Sequence, residues 1–114
     1  MKKIFIILCL LNSQAFTAEW TTGKYKINLN QDSNGDWSSD KCKSECSIDI
    51  AAKENIKLFK FDQAELSGGK NPGSVICKRI LGQVIYLEHD KVSDAFCSYE
   101  GSTVSLSRLA RLVL

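Results

Sequence analysis

The sequence predicts an α+β fold in which a small antiparallel sheet packs against one or two short helices and disulfides secure the whole. The pair Asn71-Pro72 is typical of a helix start, because asparagine can cap the first turn and proline at the first helical position loses no hydrogen bond. Apolar segments with the character of strands follow this helix. Cysteines are frequent for so short a chain, which indicates disulfide bonds.

The first 18 residues have the order of a secretory signal peptide. Two lysines at positions 2 and 3 precede the run IFIILCLL, and a polar break and small residues follow it. A run of this length is too short to cross a bilayer, which needs about 20 residues. The alternatives are a buried N-terminal strand and a single membrane anchor. We expect cleavage after Ala15 or Ala18, with residues 19–114 forming one small domain in the periplasm or outside the cell.

Loss of the signal peptide changes both the charge and the cysteine count. The full chain has 15 basic and 13 acidic residues, and removal of Lys2 and Lys3 leaves a formal charge of zero. A nucleic-acid partner or an anionic membrane surface then lacks electrostatic support. An even number of cysteines in an exported chain predicts two disulfides, for which the sequence allows three connectivities. The four cysteines that remain are Cys42, Cys46, Cys77 and Cys97.

The first half of the domain predicts a strand, a turn, a helix and a second strand. Apolar and polar residues alternate over residues 25–29, which is typical of a half-exposed strand, and Asn34-Gly35 is a strong turn pair. Residues 40–53 favour a helix, although Ile48-Asp49-Ile50 would suit a strand equally well. Residues 55–62 predict a strand, because their aromatic and β-branched side chains fit a pleated surface.

The second half has the clearest local signals. A helix that begins at Pro72 should end near Gly82. Residues 83–88 then predict a strand that is apolar enough to be buried on both faces, and residues 94–99 predict its successor. Glu100-Gly101 supplies a turn, after which residues 102–105 form a strand that runs into a short C-terminal helix.

Several short motifs occur in a fixed order between residues 69 and 112. They are Asn71-Pro72, Ser74-Val75, Cys77, Gly82 before a strand, Cys97 and the acidic-Gly-Ser turn Glu100-Gly101-Ser102. In these motifs the segment resembles a family of small exported bacterial domains that are often labelled haemolysins without good support for that activity. The resemblance implies an α+β fold, export from the cytoplasm and no established activity.

The resemblance also implies a disulfide between Cys77 and Cys97. Cys42 then pairs with Cys46 or stays reduced; alternatively, both of these cysteines reach across to the other two. On a regular helix a disulfide between residues four apart would be distorted, and a strained, exposed pair could be redox-active. A structural role is the preferred interpretation, because the chain has no Cys-x-x-Cys motif.

Few side chains are candidates for catalysis or for binding a cofactor or metal. His89 is the only histidine, so a metal site or a nucleophile-base pair would depend on it alone. Asp32, Asn34 and Asp36 have the spacing that begins a calcium loop, but Trp37 stands where such a loop needs glycine. The cysteine spacings also lack the paired short knuckles of structural zinc sites. We predict no enzymatic activity and no cofactor, with Asp32, Asn34 and Asp36 as the calcium candidate.

These observations favour an exported module that acts by binding another protein. One alternative is a serine-protease inhibitor that presents residues 88–94 as an extended loop on a disulfide-closed frame. A further alternative is a redox-active thiol protein that uses Cys42 and Cys46. The aromatic residues that could contact a partner, if exposed, are Trp20, Tyr25, Trp37 and Tyr99.

Overall fold

The computed structural model describes residues 16–66 and 68–113, so residues 1–15 of the predicted signal peptide lie outside it. Strands and short helices alternate along the described chain. The strands are β1 (Phe16–Thr22), β2 (Tyr25–Gln31), β3 (Trp37–Ser38), β4 (Gln83–His89), β5 (Val92–Tyr99) and β6 (Ser102–Ser105). The α-helices are α1 (Ser47–Leu58), α2 (Pro72–Arg79) and α3 (Leu106–Ala110), and 3₁₀ turns occupy Asp40–Cys42 and Gln63–Leu66.

The strands form a closed antiparallel barrel in the order β1-β2-β3-β6-β5-β4. Ladders of seven residue pairs join β1 to β2 and β4 to β5, whereas β1 meets β4 only at the pair Thr21 and Glu88 within the described chain. The predicted α+β fold with a small sheet is therefore wrong. The sheet closes on itself, and the protein is mainly β with short helices on the outside.

The fold class was predicted wrongly because two strands, β1 and β3, were not recognised and one helical segment was predicted as a strand. β1 begins at Phe16, inside the segment that the sequence assigns to the signal peptide, and β3 is too short to show a period. Residues 55–62, predicted as a strand, form the end of α1 and the connection that follows it. Ile48, Ala52 and Ile56 recur at helical spacing and face the core, so α1 continues to Leu58 instead of ending near residue 53.

The chain from residue 71 to residue 105 follows the prediction closely. The side-chain oxygen of Asn71 accepts hydrogen bonds from the backbone N–H groups of Gly73 (2.7 Å) and Ser74 (3.4 Å), which caps α2 as expected. The bounds of α2, β4, β5 and β6 lie within two residues of the predicted ones. In this half of the molecule, local sequence signals such as caps and turns were sufficient to predict the helix and strand bounds.

The buried side chains form two clusters. Because neighbouring residues of a strand point to opposite faces, Phe96 enters the barrel while Cys97 faces the helices. The cluster inside the barrel contains Ala18, Trp20, Leu29, Trp37, Leu87 and Phe96. The cluster between the barrel and the helices contains Cys42, Cys46, Ile48, Ala52, Ile76, Cys77, Ile80, Cys97, Val104, Leu106 and Leu109.

Two disulfides stabilise the second cluster, which confirms the expected number. Cys77 on α2 pairs with Cys97 on β5 across a Cα separation of 5.7 Å, and Cys42 pairs with Cys46 across 4.9 Å. The Cys77–Cys97 disulfide is the one that the family resemblance implies, and the Cys42–Cys46 disulfide is one of the alternatives that the sequence left open. Cys42 ends a 3₁₀ turn and Cys46 precedes α1, so the closer pair does not lie on one regular helix.

Candidate functional site

The calcium-candidate residues are engaged within the protein. The Asp32 carboxylate accepts hydrogen bonds from the backbone N–H groups of Asn34 (2.8 Å) and Asp36 (3.1 Å). The buried Asp36 carboxylate accepts hydrogen bonds from the Ser107 hydroxyl and from Arg111 Nε (2.8 Å). Across residues 16–66 and 68–113 no cluster of three or more His, Cys, Asp or Glu side chains could hold a metal. The loop is a capped turn that docks on the C-terminal segment.

Two cations near this loop have raised pKa values. A hydrogen bond to Asp36, and then the charge of that carboxylate, raises the pKa of Arg111. A hydrogen bond to Glu45, and then its charge, raises the pKa of Lys53 above the ordinary 10.5. The contribution of Lys53 to folding stability is therefore complete below pH 10.5 and is lost as the pH rises through its folded value. Solvent screens this exposed pair, so the effect is small.

Arg108 of α3 fixes the loop closed by Cys42 and Cys46. Its guanidinium binds the Asp49 carboxylate through Nη2 (2.6 Å) and Nε (3.2 Å). It also donates to the carbonyl oxygens of Cys42 (2.7 Å) and Ser44 (3.2 Å). Both cysteines are buried. A buried disulfide held by a buried ion pair favours the structural interpretation over the redox one.

His89 belongs to an aromatic group at one end of the barrel. Its Nδ1 lies 3.1 Å from the carbonyl oxygen of Glu19, and its ring centroid lies 5.3 Å from that of Trp20 and 6.0 Å from that of Trp37. Both tryptophans are buried in the barrel. Of the four aromatics proposed for partner contact, Tyr25 is exposed and Tyr99 is half-buried.

The segment proposed as an inhibitory loop is a β-hairpin. Its ends belong to β4 and β5, where Glu88 pairs with Ser93 and Leu87 pairs with Asp94. The connection is a two-residue turn, Asp90-Lys91, and both residues have positive φ. A protease-binding loop should instead be extended and exposed, so the geometry does not favour the inhibitor hypothesis.

A groove of about 730 Å³ lies along α2 and has the features of a binding site. Its walls come from the chain before α2, from α2 itself and from the outer faces of β4 and β5. The lining residues are Glu65, Lys70, Asn71, Ser74, Val75, Lys78, Arg79, Tyr86, Ala95 and Leu106. We refer to it as the α2 groove.

The α2 groove is positively charged at its rim. Arg79 is fully engaged, because it forms a bidentate ion pair with Glu65, donates to the carbonyl oxygen of Phe59 (2.6 Å) and stacks on the ring of Phe61. Lys70 and Lys78 are exposed and form no ion pair with any described residue. Nothing in the spacing of these lysines along the sequence indicated that they meet at one site.

Tyr86 projects from β4 beside the α2 groove and is 67% exposed. The prediction that this strand is buried on both faces is wrong at Tyr86. α2 covers the outer face of the sheet at Cys97, to which it is covalently joined, but leaves Tyr86 open. Tyr86 also lines a depression of about 270 Å³ with Thr21, Thr22, Gly23, Glu88 and Ser93. It therefore stands between two concave surfaces.

The fold and the site define a small disulfide-linked antiparallel β-barrel that carries short helices and a basic groove on its outer face. Comparison with family models, with curated proteins and with solved structures finds no match. The resemblance of residues 69–112 to the exported bacterial family therefore stays a prediction. None of the helices within the described ranges has the length and apolar character needed to cross a membrane.

Proposed function

We propose that this protein is an exported module that binds another protein and performs no chemistry of its own. The observation that carries the proposal is the α2 groove, which is lined by the exposed Tyr86 ring and by Lys70 and Lys78, two cations without an ion-pair partner among residues 16–66 and 68–113. Tyrosine is enriched among the residues that dominate binding energy at protein interfaces. Its phenol supplies a large apolar surface and a hydrogen-bonding group together.

Export is supported by the sequence of residues 1–18 and by the disulfides. Disulfides persist in oxidising compartments such as the periplasm and the extracellular space, and cytosolic thiols are kept reduced. The two disulfides and the order of the N-terminal residues thus point to the same compartments. The partner accordingly belongs to the periplasm or the exterior.

The α2 groove is suited to binding because its walls are already fixed. The Cys77–Cys97 disulfide joins α2, one wall, to β5, which carries Ala95 of the opposite wall. Arg79 is the last residue of α2, and its ion pair with Glu65 joins this end of the helix to the segment that precedes α2. A preformed site loses less conformational entropy when it binds than a mobile one.

Site-specific photo-crosslinking in the native cells tests this proposal. A photoreactive phenylalanine analogue replaces Tyr86 in one variant and Ile50, which is 48% exposed on α1 and lines neither concave surface, in the control. We expect a discrete adduct with a second protein from position 86 and none of that mass from position 50. Absence of an adduct at position 86, or the same adducts from both positions, would contradict the proposal.

A further inference from the structure

We infer that the α2 groove binds an extended, acidic segment of a partner protein that crosses Tyr86, and this inference rests on the proposed function. The acidic side chains of the segment would meet Lys70 and Lys78. The other end of the segment would enter the depression between Gly23 and Glu88. The ligand is thus defined by its extended conformation and by which of its ends is acidic.

The charges of the lining residues set the chemistry of the ligand. Within the α2 groove, Glu65 neutralises Arg79, so Lys70 and Lys78 are left as cations that form no ion pair with a residue of the described chain. The second depression contains Glu88 and no cation among its lining residues. An anion is therefore favoured at the α2 end, whereas a neutral or basic side chain is favoured at the other end.

The shape of the surface favours an extended polypeptide. α2 has eight residues and is about 12 Å long, a distance that about four residues of extended chain would span. Crossing Tyr86 into the second depression adds a few more, so a segment of about eight residues covers both concave surfaces. Hydroxyl and amide side chains, among them Asn71, Ser74 and Ser93, line the path and can hydrogen-bond to a peptide backbone.

A polyanion such as nucleic acid fits this surface less well than a peptide. Only the α2 end is basic, and a uniformly charged polymer that continued past Tyr86 would meet the Glu88 carboxylate. Two lysines would also neutralise few phosphates, whereas affinity for nucleic acid depends on many such contacts. The Tyr86 ring lies between a groove that favours an anion and a depression that does not. A peptide can present a different side chain to each of these, whereas a uniformly charged polymer cannot.

Selection of peptides from a library tests the inference. The mature protein, with both disulfides formed, is presented with displayed random octapeptides. We expect the selected peptides to place Asp or Glu at one end and apolar residues in the middle. In Lys70→Glu/Lys78→Glu, binding of a synthetic selected peptide should weaken about tenfold at low salt and less at high salt, since salt screens exposed charges. The same variant should select basic residues at that end instead.

Matched variants separate the groove from general charge effects. Lys41→Glu/Lys57→Glu makes the same change in net charge at exposed positions that line neither concave surface, and it should leave binding unchanged. Tyr86→Ala should weaken binding about tenfold, as expected for a central aromatic contact. Circular dichroism checks that all variants are folded.

The remaining outcomes each decide against the inference. Selected peptides without acidic residues, equal weakening in both lysine pairs, binding of heparin in preference to the peptides, or no selected peptide at all would overturn it. If crosslinking at Tyr86 still gives a protein adduct, the proposed function stands and only the acidic extended ligand is wrong. If crosslinking at Tyr86 gives no adduct, the proposed function fails as well.

Discussion

Gly82 is required by close contact with a disulfide. A Cβ at this position would lie 2.8 Å from Cys97 Sγ and 2.9 Å from Cys77 Sγ, which is closer than packed atoms approach. Gly82→Ala should therefore displace the disulfide or β4 and lower the free energy of unfolding by about 1–3 kcal/mol. Urea denaturation measures the loss.

Gly23→Ala provides a comparison for this prediction. A Cβ at Gly23 meets nothing within 4 Å, but its φ is +51°, so that variant carries backbone strain without a clash, whereas Gly82→Ala carries the clash without left-handed strain. The explanation fails if Gly82→Ala is as stable as the unsubstituted protein. Gly82 was predicted to end α2, and the residue before it, Leu81, adopts the left-handed conformation.

Leu81 has a strained backbone conformation, and its side chain gains little from packing. Its φ is +68° and its side chain is 89% exposed. Glycine at this position would relieve a strain of about 1–2 kcal/mol, offset by about 0.4–1 kcal/mol from the greater freedom of the unfolded chain. Leu81→Gly should therefore raise the melting temperature slightly. A clear fall in thermal unfolding experiments would show that the leucine contributes to packing.

At the scale of elements, α3 holds the loop of the first disulfide through one buried ion pair. Arg108→Met leaves the Asp49 carboxylate, whose side chain is 7% exposed, without its counter-charge. We expect a loss of about 3–5 kcal/mol in the free energy of unfolding, measured with urea. Adding Asp49→Leu should recover part of this loss, because no isolated charge then remains buried. The recovery is incomplete because the Cys46 N–H loses the Asp49 oxygen that accepts its hydrogen bond (3.0 Å).

A surface ion pair provides the comparison for the Arg108 variant. Lys53 and Glu45 are both about half exposed, so Lys53→Met should change the urea midpoint little. Equal losses in the Arg108 and Lys53 variants would show that burial does not set the strength of these pairs. A double variant no more stable than Arg108→Met alone would show that the loss comes from other hydrogen bonds: those of Arg108 to the loop carbonyls, or the one that Asp49 accepts from the Cys46 N–H.

The elements differ in how well the sequence specifies them. α2 and the strands after it have strong local signals, such as the Asn71 cap and the turn at Glu100-Gly101. The closing pair Thr21 and Glu88 joins positions 67 residues apart, and β3 exists because Ser38 pairs with Val104. Alternation within a strand specifies which residues share a face, not which strand lies alongside. Barrel closure could not be predicted for this reason.

The same limit applies to the candidate site in the whole molecule. Tyr86 lies between Ile85 and Leu87 in a strand predicted to be buried on both faces, yet it is 67% exposed on the outer face of β4. Lys70, Lys78 and Tyr86 line one groove because α2, which the Cys77–Cys97 disulfide joins to β5, lies against the same face of the sheet. The sequence indicates export, disulfides and binding as hypotheses, whereas the position of a binding surface depends on tertiary packing.

The barrel also distinguishes between the two predicted sites of signal-peptide cleavage. β1 pairs Phe16, Thr17 and Ala18 with β2. Ala18 is buried, and the Phe16 ring lies 5.4 Å from that of Trp37. Cleavage after Ala18 would remove this part of the ladder, whereas cleavage after Ala15 preserves it.

We therefore expect N-terminal sequencing of the secreted or periplasmic protein to read Phe-Thr-Ala. A chain that begins at Glu19 should have a free energy of unfolding lower by about 2–3 kcal/mol than one that begins at Phe16, because it loses backbone hydrogen bonds worth about 1 kcal/mol each together with the burial of Ala18. Urea denaturation of the two purified chains measures this difference. Equal stability, or a natural N-terminus at Glu19, would mean that the first three residues of β1 are dispensable to the barrel.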